Sequence, residues 1–229
     1  IGDMRKQRRV QEKKMRLAAE LSGDAASKIK LPKHKCTILV QTGVYNPVHV
    51  FHTRNFYLAS QYCEDRFKSS KVVGGLLSPT HETNARNKHK RDVQMLIPAP
   101  HRLAMCHLAV KDSSWLAVDQ WEITRRAHLD YLSVLQHVKA ICAMQFPDCD
   151  VTVVYLCGEY NLLRSAPDAL REMGVHVLTV ARLQESETLR KHLNANAGKW
   201  KGVAHLVEDQ TTLDRALDGL TSQKIRMQM

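Results

Sequence analysis

The sequence predicts an α/β fold in which a mostly parallel, doubly wound sheet is covered by helices on both faces. Short apolar runs rich in β-branched residues alternate with longer amphipathic stretches along the chain, which is typical of βαβ units. With 229 residues, 44% hydrophobic and 25% charged, the chain can bury a large core and is not expected to be disordered. No apolar run approaches the roughly 18 residues of a membrane span, so no membrane association is expected.

The six strands are predicted where continuous apolar runs are bounded by polar or turn residues, which indicates strands buried on both faces. They lie at residues 36–42, 71–77, 115–118, 151–157, 175–180 and 203–207. Helices are expected after Pro47 and at about residues 100–111, 130–145 and 185–194. The polar residues 80–95 are interpreted as a loop. Residues 36–229 are therefore predicted to form one α/β domain.

Residues 1–35 are predicted to be a basic arm, with a helical extension at residues 5–22. They hold eleven Lys or Arg against four acids, and so carry +7 of the net charge of +11. A charge run of this kind is typical of a solvated helix, while a targeting role or contact with nucleic acid is the alternative. The six cysteines follow no CxxC or zinc spacing, which favours a reducing compartment, nucleus or cytoplasm.

The loop after the first predicted strand, residues 43–52, combines the features of a phosphate site. Gly43 lets the strand turn, Asn46 is suited to cap a helix, and Pro47 is suited to the first helical position. His49 and His52 are then three apart, on one face of the first helical turn and at the positive end of its dipole. The chain has no Walker A loop and no GxGxxG. The alternative is two surface histidines on an ordinary helix.

This GxFNPxHxxH-like pattern resembles the nucleotidylyltransferase superfamily, and further segments are similar to eukaryotic-type nicotinamide mononucleotide adenylyltransferases. They lie, in the order of that family, at residues 75–79, 96–102, 115–122, 156–163 and 220–226. The resemblance implies the Rossmann-like fold of that superfamily. It also implies that residues 36–229 form the catalytic domain, and that the activity is direct in-line adenylyl transfer, with no covalent intermediate. The substrates would be ATP, with Mg²⁺, and nicotinamide or nicotinate mononucleotide, and the products NAD, or its deamido form, and pyrophosphate.

The resemblance also implies roles for particular residues. His52, His49, Lys224 and Arg226 would be catalytic, and no side chain is assigned as a metal ligand. The residues expected to bind ATP are Gly43, Val44, His49, His52, Gly158, Thr221, Ser222, Gln223, Lys224, Ile225 and Arg226. Thr221 and Ser222 are also candidates for the cap of a second helix. The residues expected to bind the mononucleotide are Lys88, Lys90, Trp121, Glu122, His128, Tyr131, Glu159 and Tyr160. A homo-oligomer is expected.

The chain departs from the family pattern around the pyridine ring. His128 stands where relatives carry a stacking aromatic residue, and Tyr131 replaces a threonine. The later Leu-Trp of the family has no counterpart here, so either Tyr160 or another aromatic residue takes its place, or further residues belong between Ser165 and Gly174. Further residues are also expected after Met229. Both mononucleotides are predicted to be used, because no lone Arg or Lys stands out as a carboxylate reader.

Two other functions compete with this interpretation. One is another nucleotidylyltransferase of the same fold, either a pantetheine-phosphate adenylyltransferase or a cytidylyltransferase; residues 96–102 and the Trp121-Glu122 pair argue against it. The other is a nucleic-acid-binding module that uses the basic arm, which leaves the phosphate-binding loop unexplained. The salt dependence of nucleic-acid retention would identify such a module, because its log–log slope is about −0.9 per phosphate contact.

The arm is predicted to be dispensable for catalysis, because none of the motifs precedes Cys36. Deleting residues 1–30 should leave the turnover number within a few-fold of the full chain. Steady-state kinetics on both proteins measures this effect, and circular dichroism checks the fold. A hundredfold loss with an intact fold would show that the arm completes the site.

Overall fold

The computed structural model describes residues 35–67, 70–209 and 220–228. Six strands within these ranges form one parallel sheet: β1 (Cys36–Gly43), β2 (Lys71–Pro79), β3 (Leu116–Val118), β4 (Val151–Leu156), β5 (His176–Arg182) and β6 (Ala204–Asp209). The strand order is β3-β2-β1-β4-β5-β6, and every neighbouring pair is parallel. The predicted α/β fold is therefore confirmed. The helix predicted within the arm lies outside the described residues.

The helices of the described ranges are α1 (Val50–Arg66), α2 (Glu82–Lys88), α3 (Ala99–Val110), α4 (Tyr131–Gln145), α5 (Glu159–Leu163), α6 (Pro167–Glu172), α7 (Leu183–Ala195), α8 (Ala197–Trp200) and α9 (Ser222–Arg226). A 3₁₀ turn lies at Val93–Met95. The interpretation of residues 80–95 as a loop is wrong for α2, a seven-residue helix that starts from the cap of His81. None of these helices is long and apolar enough to cross a membrane.

Both faces of the sheet are buried, as the continuous apolar strands predict. Along β1, Ile38 and Val40 pack into one core cluster while Leu39 packs into the other. Helix α4 contributes buried residues to the first cluster, and α1 and α3 contribute them to the second. The two layers cover the sheet and leave its carboxyl-terminal edge for the connecting loops.

The topological switch point lies between β1 and β4. The chain runs from β1 outward to β2 and β3, and then returns to start the other half of the sheet at β4. In open parallel sheets, ligands bind outside the carboxyl ends of the strands at such a point. The loop after β1, which holds Gly43 and His49, therefore lies at the position where a ligand is expected.

His137 of α4 makes the stability of the fold depend on pH. Its ring is 6% exposed and stacks on Trp121 with centroids 3.9 Å apart. Burial, with a smaller effect from Arg125, lowers the pKa of His137 to about 4. The folded protein therefore keeps this ring neutral at pH values where the unfolded chain protonates it.

The free energy of unfolding is accordingly expected to fall as the pH drops from about 6.5 to about 4, by at most about 3 kcal/mol from His137. Urea unfolding at pH 7.5 and pH 4.5 measures the loss. His137→Phe, which retains an aromatic ring against Trp121, should reduce the pH dependence, whereas a matched change at the exposed His101 should not. An unchanged dependence in His137→Phe would show that another group is responsible.

Candidate functional site

Two cavities adjoin at the carboxyl ends of the strands. The α4 cavity, named for its position at the start of that helix, has a volume of about 570 Å³. The α1 cavity, at the start of α1, has a volume of about 710 Å³. Both volumes are in the usual range for small-molecule sites. The cavities share five lining residues, which we call the junction: Thr42, Gly43, Val44, Lys88 and Asn161.

The remaining lining residues differ in character between the cavities. Those of the α4 cavity alone are Thr80, Asn84, Asn87, Glu122, His128, Asp130, Tyr131, Tyr155, Arg164 and Ser165. Those of the α1 cavity alone are Gln41, Tyr45, Asn46, His49, Phe51, His52, Asn55, His89, Asp92, Gly158, Val180, Asp209, Thr221, Ser222, Gln223 and Arg226. The α1 cavity thus gathers three histidines, Lys88 and Arg226 against two aspartates, Asp92 and Asp209, and it includes the start of α1, whose positive dipole end favours an anion.

Helix α1 begins at Val50, and His49 rather than Asn46 is its N-cap. The prediction that Asn46 caps the helix and Pro47 starts it is wrong, because both residues lie in a turn before the helix; the peptide bond between them is cis. The Asn46 side chain instead accepts the backbone N–H of Ile97 at 2.9 Å and donates to the carbonyl of Met95 at 3.3 Å. It therefore ties the loop after β1 to the segment before α3.

The two histidines of the loop contact each other. The backbone N–H of His49 donates to Nδ1 of His52 at 3.1 Å, and the ring centroids are 3.9 Å apart. The edge of Tyr45 supports the His52 ring at a centroid distance of 4.9 Å. Because Nδ1 accepts a hydrogen bond, the proton of the neutral His52 ring lies on Nε2, which is then a donor. The pair gives the α1 cavity an oriented imidazole.

Gly43 leaves room for the close approach of Tyr45. A Cβ at position 43 would lie 3.1 Å from the Tyr45 ring, and Tyr45 itself has a positive φ of 48°. The Tyr45 hydroxyl, buried under the loop, donates to the carbonyl of Gln41 at 2.8 Å. The turn therefore brings the backbone of residues 43 and 44 to the junction of the cavities with no side chain at Gly43 between them.

Arg102 of α3 holds three segments of the site together. Its side chain is fully buried and donates to the carbonyls of Ile97 (3.1 Å), Val44 (2.8 Å) and Thr80 (3.0 Å). It also donates to the carboxylate of Glu82 at 3.2 Å. Position 102 is part of the motif at residues 96–102, but a buried positioning role cannot be derived from the sequence pattern alone.

Glu122 forms the buried floor of the α4 cavity. Its carboxylate accepts from the Thr80 hydroxyl (2.6 Å), the His81 backbone N–H (3.1 Å) and the Asn84 side chain (3.2 Å). Burial raises the pKa of Glu122, although these donors act in the opposite direction. Asn84 also donates to the carbonyl of Leu129 at 3.3 Å. Glu122 therefore joins the end of β2 to α2 and the approach to α4.

Tyr131 and Tyr155 form an aromatic wall in the α4 cavity, with ring centroids 5.2 Å apart and an angle of 17° between the planes. The Tyr155 hydroxyl lies 3.0 Å from that of Thr42. The Tyr131 hydroxyl accepts the backbone N–H of Ala166 at 2.8 Å. Trp121, in contrast, stacks on His137 and has Arg125 over its ring, 4.3 Å from the centroid.

Helix α9 closes one side of the α1 cavity. The predicted cap is confirmed, since the Thr221 side chain accepts the backbone N–H of Lys224. The Ser222 hydroxyl donates to the carbonyl of Pro47 at 2.8 Å, and Arg226 donates to the carbonyl of Asn46. Arg226 is 8% exposed, and desolvation lowers its pKa. The helix is therefore attached to the loop after β1 at two points.

The structure brings most of the predicted site residues to the two cavities. Those that line at least one are Gly43, Val44, His49, His52, Lys88, Glu122, His128, Tyr131, Gly158, Thr221, Ser222, Gln223 and Arg226. Lys90, Trp121, Glu159, Lys224 and Ile225 line neither cavity, and the side chain of Tyr160 lies outside the described part of the chain. The assigned roles of all these residues stay predictions.

Among the lining residues that the sequence interpretation did not include are Asn161 and Arg164 in the connection after β4. Asn161 lies within the 156–163 motif and Arg164 directly follows it, but the turn that carries them was not predicted. Lys88, at the junction, is exposed as a whole residue, although the walls of the cleft desolvate its ammonium group and lower its pKa. The described residues contain no cluster of three or more His, Cys, Asp or Glu that could hold a metal ion.

A parallel sheet with adjoining cavities at its switch point defines a Rossmann-like α/β protein whose site lies at the carboxyl ends of β1 and β4. The profile of the cytidylyltransferase-like family matches residues 40–226. The chain belongs to this family.

Three of the curated relatives illustrate the similarity, and each is named nicotinamide/nicotinic acid mononucleotide adenylyltransferase, the fish protein with the suffix 2. The Arabidopsis thaliana protein is 34% identical over 130 residues, which cover 56% of this chain and 51% of that protein. The Oryza sativa protein is 33% identical over 135 residues, which cover 58% of this chain and 50% of that protein. The Danio rerio protein is 35% identical over 100 residues, which cover 44% of this chain and 30% of that protein. The chain thus spans about half of the length of the two plant proteins and 30% of the length of the fish protein. A structure of a mutant tryptophan synthase α-subunit from Pyrococcus furiosus aligns with a TM-score of 0.24 and 13% identity, over 77% of this chain and 66% of that one.

Proposed function

We propose that this protein transfers the adenylyl group of ATP to nicotinamide or nicotinate mononucleotide, giving NAD or its deamido form and pyrophosphate. The observation that carries the proposal is the pair of cavities that meet at Gly43, Val44 and Lys88. Two nucleotides in adjoining cavities can place one phosphate beside the other. The names of the plant and fish relatives support this choice of substrates.

In this proposal ATP occupies the α1 cavity and the mononucleotide the α4 cavity. The 5′-phosphate of the mononucleotide attacks the α-phosphorus of ATP at the junction, where Lys88 faces both cavities. Catalysis then consists of alignment and of stabilising the charge that moves toward the leaving pyrophosphate. Nε2 of His52 donates to that charge, while His49 and Arg226 line the same cavity.

Mg²⁺ enters this reaction with ATP as part of the substrate. The described residues offer no protein cluster for the ion, so the triphosphate oxygens and water would be its ligands, as is usual for Mg²⁺ with nucleotides. The chemistry that the ion supplies is neutralisation of the phosphate charge. We keep a homo-oligomer and a nuclear or cytoplasmic location as parts of the proposal; the unbridged state of the six cysteines supports a reducing compartment.

The test is formation of the dinucleotide from ATP, Mg²⁺ and each mononucleotide, with pyrophosphate measured in parallel. We expect equimolar dinucleotide and pyrophosphate with both mononucleotides. Pantetheine phosphate with ATP, and CTP with a phosphorylated alcohol, are the controls for the alternative transferases. If the protein turns over one of these control substrates and neither mononucleotide, the proposed function is wrong and that alternative replaces it.

A further inference from the structure

We infer that Arg54 is a positioning residue for the proposed adenylyl transfer: its ion pair with Asp209 fixes helix α1 on strand β6 and thereby holds the His52 donor in place. The inference rests on the proposed function and adds to it a residue that acts without touching either substrate. Arg54 is two positions after His52 on α1 and lines neither cavity. Any effect of Arg54 on the reaction must therefore pass through the groups that it holds.

The Arg54–Asp209 pair joins the first described helix to the last strand of the sheet. Nε and Nη2 of Arg54 donate to the two carboxylate oxygens of Asp209, at 2.7 and 2.9 Å. The side chains are only 21% and 11% exposed, so water competes with these bonds less than at an open surface. A bidentate pair fixes the orientation of the two groups as well as their distance. Because Asp209 is part of the wall of the α1 cavity, the pair attaches α1 directly to the proposed ATP site.

A second contact between α1 and β6 shows that the helix lies along the strand. The Tyr62 hydroxyl lies 3.1 Å from Nδ1 of His205, near the other end of β6. From Arg54 to Tyr62 the helix rises about 12 Å, and from His205 to Asp209 the strand rises about 13 Å. Because these two lengths match, both contacts form together when α1 runs antiparallel to β6 in this register. The ion pair is the contact at the end that carries the histidines.

The two acids at the end of β6 hold helices on opposite faces of the sheet. Neighbouring side chains of a strand point to opposite faces. Glu208 accordingly pairs with Arg190 of α7, whereas Asp209 pairs with Arg54 of α1. The Arg190 side chain is 61% exposed and lines neither cavity. Loss of the Arg190 pair therefore shows what breaking a helix-to-β6 ion pair does when α1 is not involved.

The position of α1 matters for the reaction because His52 would act through a donor that is fixed in advance. Such a group has to stay within about 0.5 Å of its productive position, and a misplacement of about 1 Å can cost about 100-fold in rate. The loop before α1 is held on the α9 side, where the Ser222 hydroxyl donates to the carbonyl of Pro47 at 2.8 Å. Arg54 holds the helix on the β6 side. Without Arg54 we expect the first turn of α1 to shift relative to β6 and to move the His52 ring with it.

The experiment is a double-mutant cycle on kcat with Arg54→Gln, His52→Ala and the double variant, and Arg190→Gln is the matched control. Two residues that act as one unit have non-additive effects. We expect Arg54→Gln to lower kcat roughly 10-fold in wild type but less than about twofold in His52→Ala, with KM for the mononucleotide within about threefold. Arg54→Lys retains the charge but not the parallel donors, and should show a smaller loss with the same non-additivity. Arg190→Gln should leave kcat unchanged.

Equal losses in the two backgrounds would overturn the inference, because Arg54 would then only support the fold. An unchanged kcat in Arg54→Gln, or the same loss in Arg190→Gln, would also overturn it. The histidine ring C–H signals in NMR spectra of the protein without substrates give a readout that does not depend on turnover. The His52 signal, identified by its absence in His52→Ala, should shift in Arg54→Gln and not in Arg190→Gln. If the wild-type protein forms neither dinucleotide, the proposed function fails, while this signal still decides whether Arg54 positions the ring.

Discussion

His52→Ala is expected to lower kcat for dinucleotide formation by roughly 100-fold or more, with little change in KM for ATP. The reason is the orientation of the ring: Nδ1 accepts the His49 backbone N–H at 3.1 Å, so the donor on Nε2 is fixed before the substrate arrives. A preorganised donor to a charge that grows during the reaction acts on the transition state more than on the bound substrate. Its loss therefore appears in kcat.

The neighbouring variants separate this role from simple binding. His49→Ala keeps the backbone N–H that orients His52, so its effect should have the same direction but be smaller. Thr53→Ala changes the next residue of α1, whose hydroxyl donates to the Val50 carbonyl at 2.9 Å, and should leave kcat unchanged. A near-normal kcat in His52→Ala, together with a raised KM for ATP, would mean that the histidine pair only binds the nucleotide.

The strands and the position of the site could be predicted because both depend on local sequence. A buried parallel strand such as β4 is a continuous apolar run, and the turn with Gly43, His49 and His52 follows directly after one. The carboxyl ends of parallel strands then gather at one edge whatever the lengths of the loops. These two regularities suffice to place the α1 cavity.

Features that depend on contacts between distant segments could not be predicted in the same way. Asparagine is a residue type that often caps helices, but the hydrogen-bond partners of the Asn46 side chain, Met95 and Ile97, are about fifty residues away in the sequence. Helices as short as α5 and α6 show no amphipathic period, so the turn that brings Arg164 into the α4 cavity has no local signature. Residues 159–165 are therefore the part of the site that the sequence predicts least well.

Arg102→Met is expected to lower the free energy of unfolding by about 3–5 kcal/mol, because several acceptors lose a donor and each buried acceptor left without a partner costs about 1–3 kcal/mol. The guanidinium group is fully buried, and its loss would leave Glu82 and the carbonyls of Val44 and Thr80 without this donor. Buried acceptors without partners account for most of that loss. Chemical denaturation at constant pH measures it.

Arg86→Met is the matched control for this prediction, because Arg86 also pairs with Glu82, at 3.3 Å, but its side chain is 60% exposed. An exposed pair of this kind contributes about 1 kcal/mol or less. The loss of unfolding free energy should therefore be severalfold larger for Arg102→Met than for Arg86→Met. Arg102→Lys should recover only part of the loss, since one ammonium group cannot reach carbonyls on three segments. If Arg102→Met and Arg86→Met destabilise the protein equally, then Arg102 does not hold the loop after β1 to α2, and the loop must be positioned by the contacts of Asn46 and α9 alone.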